Sequence, residues 1–117
     1  MSKRILVVED QPDNRQIIRD MLARTDYEII ETENGEEALA AIAKHRPDLI
    51  LMDIQLPIMD GYEATRRIKA DASLRAIPII AVTSYALSGE EKKARAAGCD
   101  DCVPKPFSPR KLLPKIR

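Results

Sequence analysis

Five short apolar runs, separated by longer amphipathic stretches, constrain the fold of this chain more than any other feature. They lie near Arg4 to Val8, Tyr27 to Thr32, Leu49 to Asp53, Pro78 to Thr83 and Asp101 to Val103. Strand and helix patterns that alternate in this way predict an α/β fold, a parallel sheet covered on both faces. The first and third runs, R-I-L-V-V and L-I-L-M-D, are nearly unbroken apolar sequence, as strands buried on both faces require. In the second, Y-E-I-I-E-T, acids flank the paired isoleucines, which places it at an edge with the first and third runs central.

The helix starts are marked by side chains. Asn34 with Glu37, Asp60 with Glu63 and Ser88 with Glu91 have the spacing of a capping box, in which the short side chain and the acid satisfy orphan amides reciprocally. An earlier helix after Pro12 is expected to carry Ile17, Ile18, Met21 and Leu22 on one face. A last helix opens with Ser108 as cap and Pro109 at its first position. Pro114 falls inside that helix, where it lacks a donor and meets the carbonyl of Arg110. The cost of roughly 3 kcal/mol predicts a kink or a frayed end.

At 117 residues the chain is expected to be one domain, residues 1–117, with no output domain. Nineteen Lys and Arg balance 19 Asp and Glu, so no global field draws in nucleic acid or an anionic membrane. No apolar stretch reaches the length of a membrane span, and M-S-K-R-I-L-V-V runs straight into a strand, so the chain reads as cytoplasmic. With 3% aromatics and no Trp it also lacks the makings of a base-stacking surface. Cys99 and Cys102 form C-D-D-C. A zinc site would need two more ligands, and the one histidine, His45, is far away in sequence. A redox pair normally opens a helix, whereas C-D-D-C-V-P reads as strand, so both are taken as small structural thiols.

The ends of the apolar runs carry the chemistry. Glu9 and Asp10 follow the first, Asp53 ends the third, Thr83 ends the fourth and Lys105 follows the fifth. In a parallel sheet all strand carboxyl ends open on one edge, so these residues converge in one crevice. Three carboxylates about 5 Å apart at an effective dielectric near 20 repel by roughly 3 kcal/mol per pair. A cation must offset this, either Lys105 or a hard divalent ion such as Mg²⁺, which oxygen-only ligands suit. Asp53 is then a candidate nucleophile for a phosphoryl group, Thr83 a hydroxyl donor and Lys105 a compact positive charge.

The whole chain resembles the receiver domains of two-component response regulators. The likeness rests on I-L-V-V-E-D-Q-P, P-D-L-I-L-M-D-I-Q-L-P-I-M-D-G, P-I-I-A-V-T-S-Y-A and V-P-K-P-F-S. Within the family it looks most like the single-domain DivK type. The resemblance implies a flavodoxin-like (βα)5 fold, doubly wound, with strand order 2-1-3-4-5. It implies that Asp53 accepts a phosphoryl group from a phosphohistidine on a sensor histidine kinase or histidine phosphotransfer protein. Glu9, Asp10, Asp53 and the backbone carbonyl of Gln55 would hold Mg²⁺, Thr83, Ser84 and Lys105 would meet the phosphoryl group, and Lys105-Pro106 would be a cis peptide. Gln55 and Tyr85 match positions that tune hydrolysis of the acyl phosphate. Cys102 departs from the pattern, because receivers usually carry Tyr or Phe there. The implied protein is a phosphoacceptor, with slow self-dephosphorylation at most, rather than an enzyme. It would be a monomer or weak dimer that signals through a downstream protein partner.

Other readings explain part of the pattern. A haloacid-dehalogenase-like phosphatase shares the strand-end Asp, Mg²⁺, hydroxyl and Lys but needs D-x-D, and Asp53-Ile54-Gln55 lacks that general acid. A flavodoxin-like FMN protein would cradle phosphate in the first loop, which is here the acidic E-D-Q-P-D-N. A metal-free docking module would not need the acid pair. A phosphate shuttle or sink in a phosphorelay, or a receiver piece of a hybrid kinase, uses the same residues as the principal reading.

Overall fold

The structure is a computed structural model that describes residues 3–23, 27–54, 56, 58–83 and 90–104. In chain order the elements are β1 (Arg4–Val8), α1 (Pro12–Leu22), β2 (Glu28–Thr32), α2 (Gly35–His45), β3 (Leu49–Asp53), α3 (Gly61–Ala70), β4 (Ile79–Thr83), α4 (Glu90–Ala97) and β5 (Asp101–Pro104). The five strands pair in parallel in the order β2-β1-β3-β4-β5. Strand bounds differ from the sequence expectation by one residue at β2, β4 and β5. The expected order and the edge position of β2 both hold.

Alternate residues of each central strand feed opposite layers, as the period of two demands. Leu6, Val8, Ile50, Met52, Ile79 and Ala81 pack with Ala38 and Ile42 of α2, Ala64 and Ile68 of α3 and Ala94 of α4. Ile5, Val7, Leu49, Leu51, Ile80 and Val103 pack with Ile18 and Leu22 of α1. The sheet is therefore buried on both faces, and all five residues of β3 are buried. Among the described residues no helix is long and apolar enough to cross a membrane.

Three helix expectations are corrected in detail. Ile17 is 41% exposed, because the buried stripe of α1 runs through Ile18 and Leu22, with Met21 partly buried beside them. Neighbouring residues on a helix point about 100° apart, so Ile17 and Ile18 cannot share the centre of one face. The cap side chains do accept as expected, with Asn34 Oδ1 receiving the Glu37 amide at 2.9 Å and Asp60 Oδ1 the Glu63 amide at 2.9 Å. The reciprocal halves differ. Glu37 takes the amide of Glu33 at 3.0 Å, one residue before the cap, and Glu63 pairs with Arg67 one turn on at 3.3 Å. Ser88, Ser108, Pro109, Arg110 and Pro114 lie outside the described residues.

Two polar contacts inside this frame bear on the thiols and on β4. Cys99 is buried, its Sγ 3.6 Å from Thr65 Oγ1 of α3, and burial pushes its thiol pKa up. Cys99 and Cys102 are free thiols. Asp100 Oδ2 accepts from the amide of Ile79 at 2.9 Å and from Lys69 Nζ at 3.0 Å, tying the start of β4 to α3.

Candidate functional site

β1 and β3 are hydrogen-bonded neighbours with Val8 level with Met52, so the residues just beyond share one end of the sheet. Glu9 and Asp10 leave β1 there and Asp53 closes β3. A carboxylate oxygen from each of Glu9, Asp10 and Asp53 lies within 4.8 Å of the others. Glu9 is 2% exposed and Asp53 4%, while Asp10 is half-buried. Charges at this spacing repel by roughly 3 kcal/mol per pair at an effective dielectric near 20. An oxygen-only donor set of three acids with one member reachable from solvent suits a hard cation such as Mg²⁺.

The backbone around the acids is fastened from several sides. The Glu9 amide donates to the Thr32 carbonyl at 3.0 Å, and Glu9 Oε2 accepts the Gln11 amide at 3.2 Å. Arg15 Nη1 donates to the Glu9 carbonyl at 2.8 Å, while the same guanidinium pairs with Glu31 and Glu33 at 3.4 Å each. Arg15 thus anchors the Glu9 backbone and gives its charge to the acids beside β2. On the other side the Gly61 amide donates to the Ile54 carbonyl at 2.9 Å. A Cβ at Gly61 would collide with the Asp53 carbonyl oxygen and lie 2.8 Å from Ile54 Cα, so only glycine lets α3 start against the end of β3.

The other expected site residues divide into two groups. Thr83 ends β4, one strand from β3, its backbone level with Pro104. Cys102 lies on β5 opposite Ala81, half-buried against the core layer of α2, α3 and α4. Gln55, Ser84, Tyr85, Lys105 and Pro106, and with them the expected cis peptide, lie outside the described residues. Sequence reasoning passed over Gly61 and Arg15. Gly61 had a signal, a glycine directly after a helix-capping Asp. Arg15 had none, because its three partners come from two other segments.

The same arrangement occurs in known proteins. The chain matches the response regulator receiver domain over residues 5–117. It is 45% identical to the polar-differentiation response regulator DivK of Brucella anthropi over 117 residues, covering 100% of this chain and 95% of that protein. The DivK of Brucella ovis is 44% identical over the same span. Among solved structures, the receiver domain of a sensor histidine kinase from Pseudomonas aeruginosa, with a magnesium ion coordinated in its active-site cleft, superposes with a TM-score of 0.91. It is 39% identical and covers 99% of this chain and 95% of that one. A response regulator from Chloroflexus aurantiacus superposes with a TM-score of 0.95 at 28% identity, covering 99% and 95%. Acids gathered at the carboxyl edge of a 2-1-3-4-5 sheet, in a chain aligned with these relatives almost end to end, make this protein a response regulator receiver domain, a phosphoryl acceptor of two-component signalling.

Proposed function

We propose that Asp53 is the phosphoacceptor and that its donor is a phosphohistidine on a sensor histidine kinase or a histidine phosphotransfer protein. The observation that carries this is the burial of Asp53 at the end of the central strand, within 4.8 Å of two further carboxylates. An Asp53 oxygen attacks phosphorus, the phosphorus–nitrogen bond of the phosphohistidine breaks, and the imidazole leaves with the bonding pair. Such catalysis is chiefly positioning and charge neutralisation. Glu9, Asp10, Asp53 and the backbone carbonyl of Gln55 would hold Mg²⁺, which when bound supplies positive charge against the phosphoryl oxygens. Thr83, Ser84 and Lys105 are assigned to the phosphoryl group, and Gln55 and Tyr85 to tuning its hydrolysis. The chain acts as a single receiver domain, passes its signal on by protein contact and works in the cytoplasm, where free thiols such as Cys99 and Cys102 persist.

Acetyl phosphate or beryllofluoride with Mg²⁺ should modify the wild-type protein stoichiometrically and leave Asp53→Asn unmodified. Label on another carboxylate of the mutant would overturn the assignment. Cys102 supports a second reading, a phosphate shuttle or sink. A half-buried thiol stands where receivers usually carry the aromatic side chain that reports phosphorylation. A partner that binds apo and beryllofluoride-loaded protein with equal affinity would favour the shuttle, and a ratio of about five or more would favour a switch.

A further inference from the structure

The helical layer opposite α1 has a cleft of about 230 Å³ between α3 and α4, and none of the three gathered carboxylates lines it. Its walls are Tyr62 and Arg66 from α3 and Lys93, Ala96 and Ala97 from α4. Residues three or four apart share a helix face, so each set forms one side. Buried Ala97 and partly buried Tyr62 give the cleft an apolar floor, while exposed Arg66 and Lys93 give it a cationic rim. These two cations differ from their neighbours. Arg67 pairs with Glu63 at 3.3 Å, Lys69 with Asp100 at 3.0 Å and Arg95 with Asp101 at 3.6 Å. Among the described residues Arg66 and Lys93 form no ion pair. Like charges facing one cleft repel, and an anion seated between them relieves that repulsion.

We propose that this cleft is a docking site for a partner protein, taking an acidic side chain between Arg66 and Lys93 and an adjoining aliphatic one over Tyr62 and Ala97. It rests on the reading that the domain passes its signal on by protein contact, and gives that contact a place and a chemistry. Size favours side chains over a free ligand, because small-molecule pockets usually enclose roughly 300–1,000 Å³. Charge favours a local acid over a polyanion. Glu63, Asp100 and Asp101 lie on or beside the same helices, so no continuous basic track serves nucleic acid or an anionic membrane. A guanidinium grips a carboxylate in a two-point fork, and a lysine adds a point charge. Tyr and Arg are also among the side chains that most often anchor interfaces.

The probe is a phage-displayed library of random short peptides, selected on immobilised wild-type protein. Enriched peptides are expected to carry Asp or Glu beside Leu, Ile or Met, and to shift the Tyr62, Ala96 and Ala97 resonances in NMR titration. Arg66→Glu or Lys93→Glu should weaken a selected peptide by about tenfold or more, with the melting temperature unchanged. The same peptide with its acid changed to Lys should prefer the double variant, Arg66→Glu with Lys93→Glu, to wild type. Enriched peptides without an acid, affinities that neither substitution changes, or a lowered melting temperature in both variants overturn the proposal. So does tight binding of inorganic phosphate or succinate alone at these residues, which marks a small-anion site. A dimer in sedimentation that Lys93→Glu dissolves also overturns it, by making the cleft a contact between two copies. Acetyl phosphate labelling of Asp53, expected within about twofold of wild type in both variants, is read alongside. Wild-type protein that takes no label overturns the acceptor assignment, whereas peptides that bind only another face overturn the cleft and leave signalling by contact in place.

Discussion

β2 and β3 are both five residues long and lie in one sheet, but they treat acidic residues in opposite ways. At the edge, the acids of E-I-I-E-T are each matched to an arginine. Glu28 pairs with Arg4 at 3.3 Å, and Glu31 pairs with Arg15 and Arg19 at 3.4 Å each. At the centre, all of L-I-L-M-D is buried and its one acid, Asp53, is gathered with Glu9 and Asp10. The edge acids contribute modestly to folding because they and their partners Arg4 and Arg19 are largely open to solvent, which screens the pairs. The central acids repel one another and together form an oxygen donor set that suits a cation. Charge near the edge stabilises the fold, and charge at the centre serves the chemistry.

Core truncation should give the largest contrast between the two strands. Leu51→Ala or Ile50→Ala, at positions 1% and 0% exposed, should cost about 3–4 kcal/mol in denaturant unfolding, whereas Ile29→Ala on the partly buried β2 should cost about 1–2 kcal/mol. Equal losses would mean that β2 is as firmly packed as the centre. Gly61→Ala comes next, at about 2 kcal/mol, because backbone atoms of Asp53 and Ile54 cannot yield as a flexible side chain would. A thermal melt with no change would show that α3 can move off the end of β3.

The carboxylates should separate by sign. Without metal, Asp53→Asn or Asp10→Asn should raise stability by about 1–2 kcal/mol, by removing one of three repelling charges. Glu31→Gln should lower it by about 0.5 kcal/mol, by leaving Arg15 and Arg19 without that partner. Mg²⁺ at about a hundred times its dissociation constant adds about 2.7 kcal/mol to wild type and should close the gap to the site mutants only. Melting curves that shift the same way in all three variants would erase the distinction between edge and centre.

The smallest effect belongs beside the opposite edge, where Cys99 precedes β5. Burial raises its thiol pKa above the ordinary 9.0, so the folded protein holds that proton more tightly than the unfolded chain. The resulting stability is fully present below about pH 9 and is lost as pH rises through the folded value. As pH rises above about 9, wild type should therefore lose more stability than Cys99→Ala. Parallel losses would show that the thiolate is solvated as well in the folded state as in the unfolded one.

Much of this was legible in the residues. The contrast between R-I-L-V-V or L-I-L-M-D and Y-E-I-I-E-T placed β1, β3 and β2 correctly, because full burial on both faces of a central strand excludes polar side chains and the partial cover of an edge strand admits them. The capping positions of Asn34 and Asp60 were equally plain, because a cap is a contact over three residues. The partners of Glu37 and Glu63 were not, because a flexible acid has several amides and cations within reach and local spacing does not choose among them. The exposure of Ile17 beside buried Ile18 was missed because both satisfy a loose apolar pattern, and only the docked angle of α1 selects one.

What the sequence determined by itself is whatever depends on near neighbours: strand and helix periods, cap residues, and an acid at the end of each of two central strands. The closeness of those acids was a decision of the tertiary structure. Glu9 and Asp53 are 44 positions apart in the chain. They meet because β1 pairs with β3 in a register that sets Val8 beside Met52. The same holds for Arg15, which reaches Glu9, Glu31 and Glu33, and for Gly61, whose missing side chain matters only because α3 returns to Asp53. A pattern along the chain states which way a side chain faces within its own element. How far apart two elements lie depends on the packing of the layers between them, and no short stretch of sequence encodes that distance.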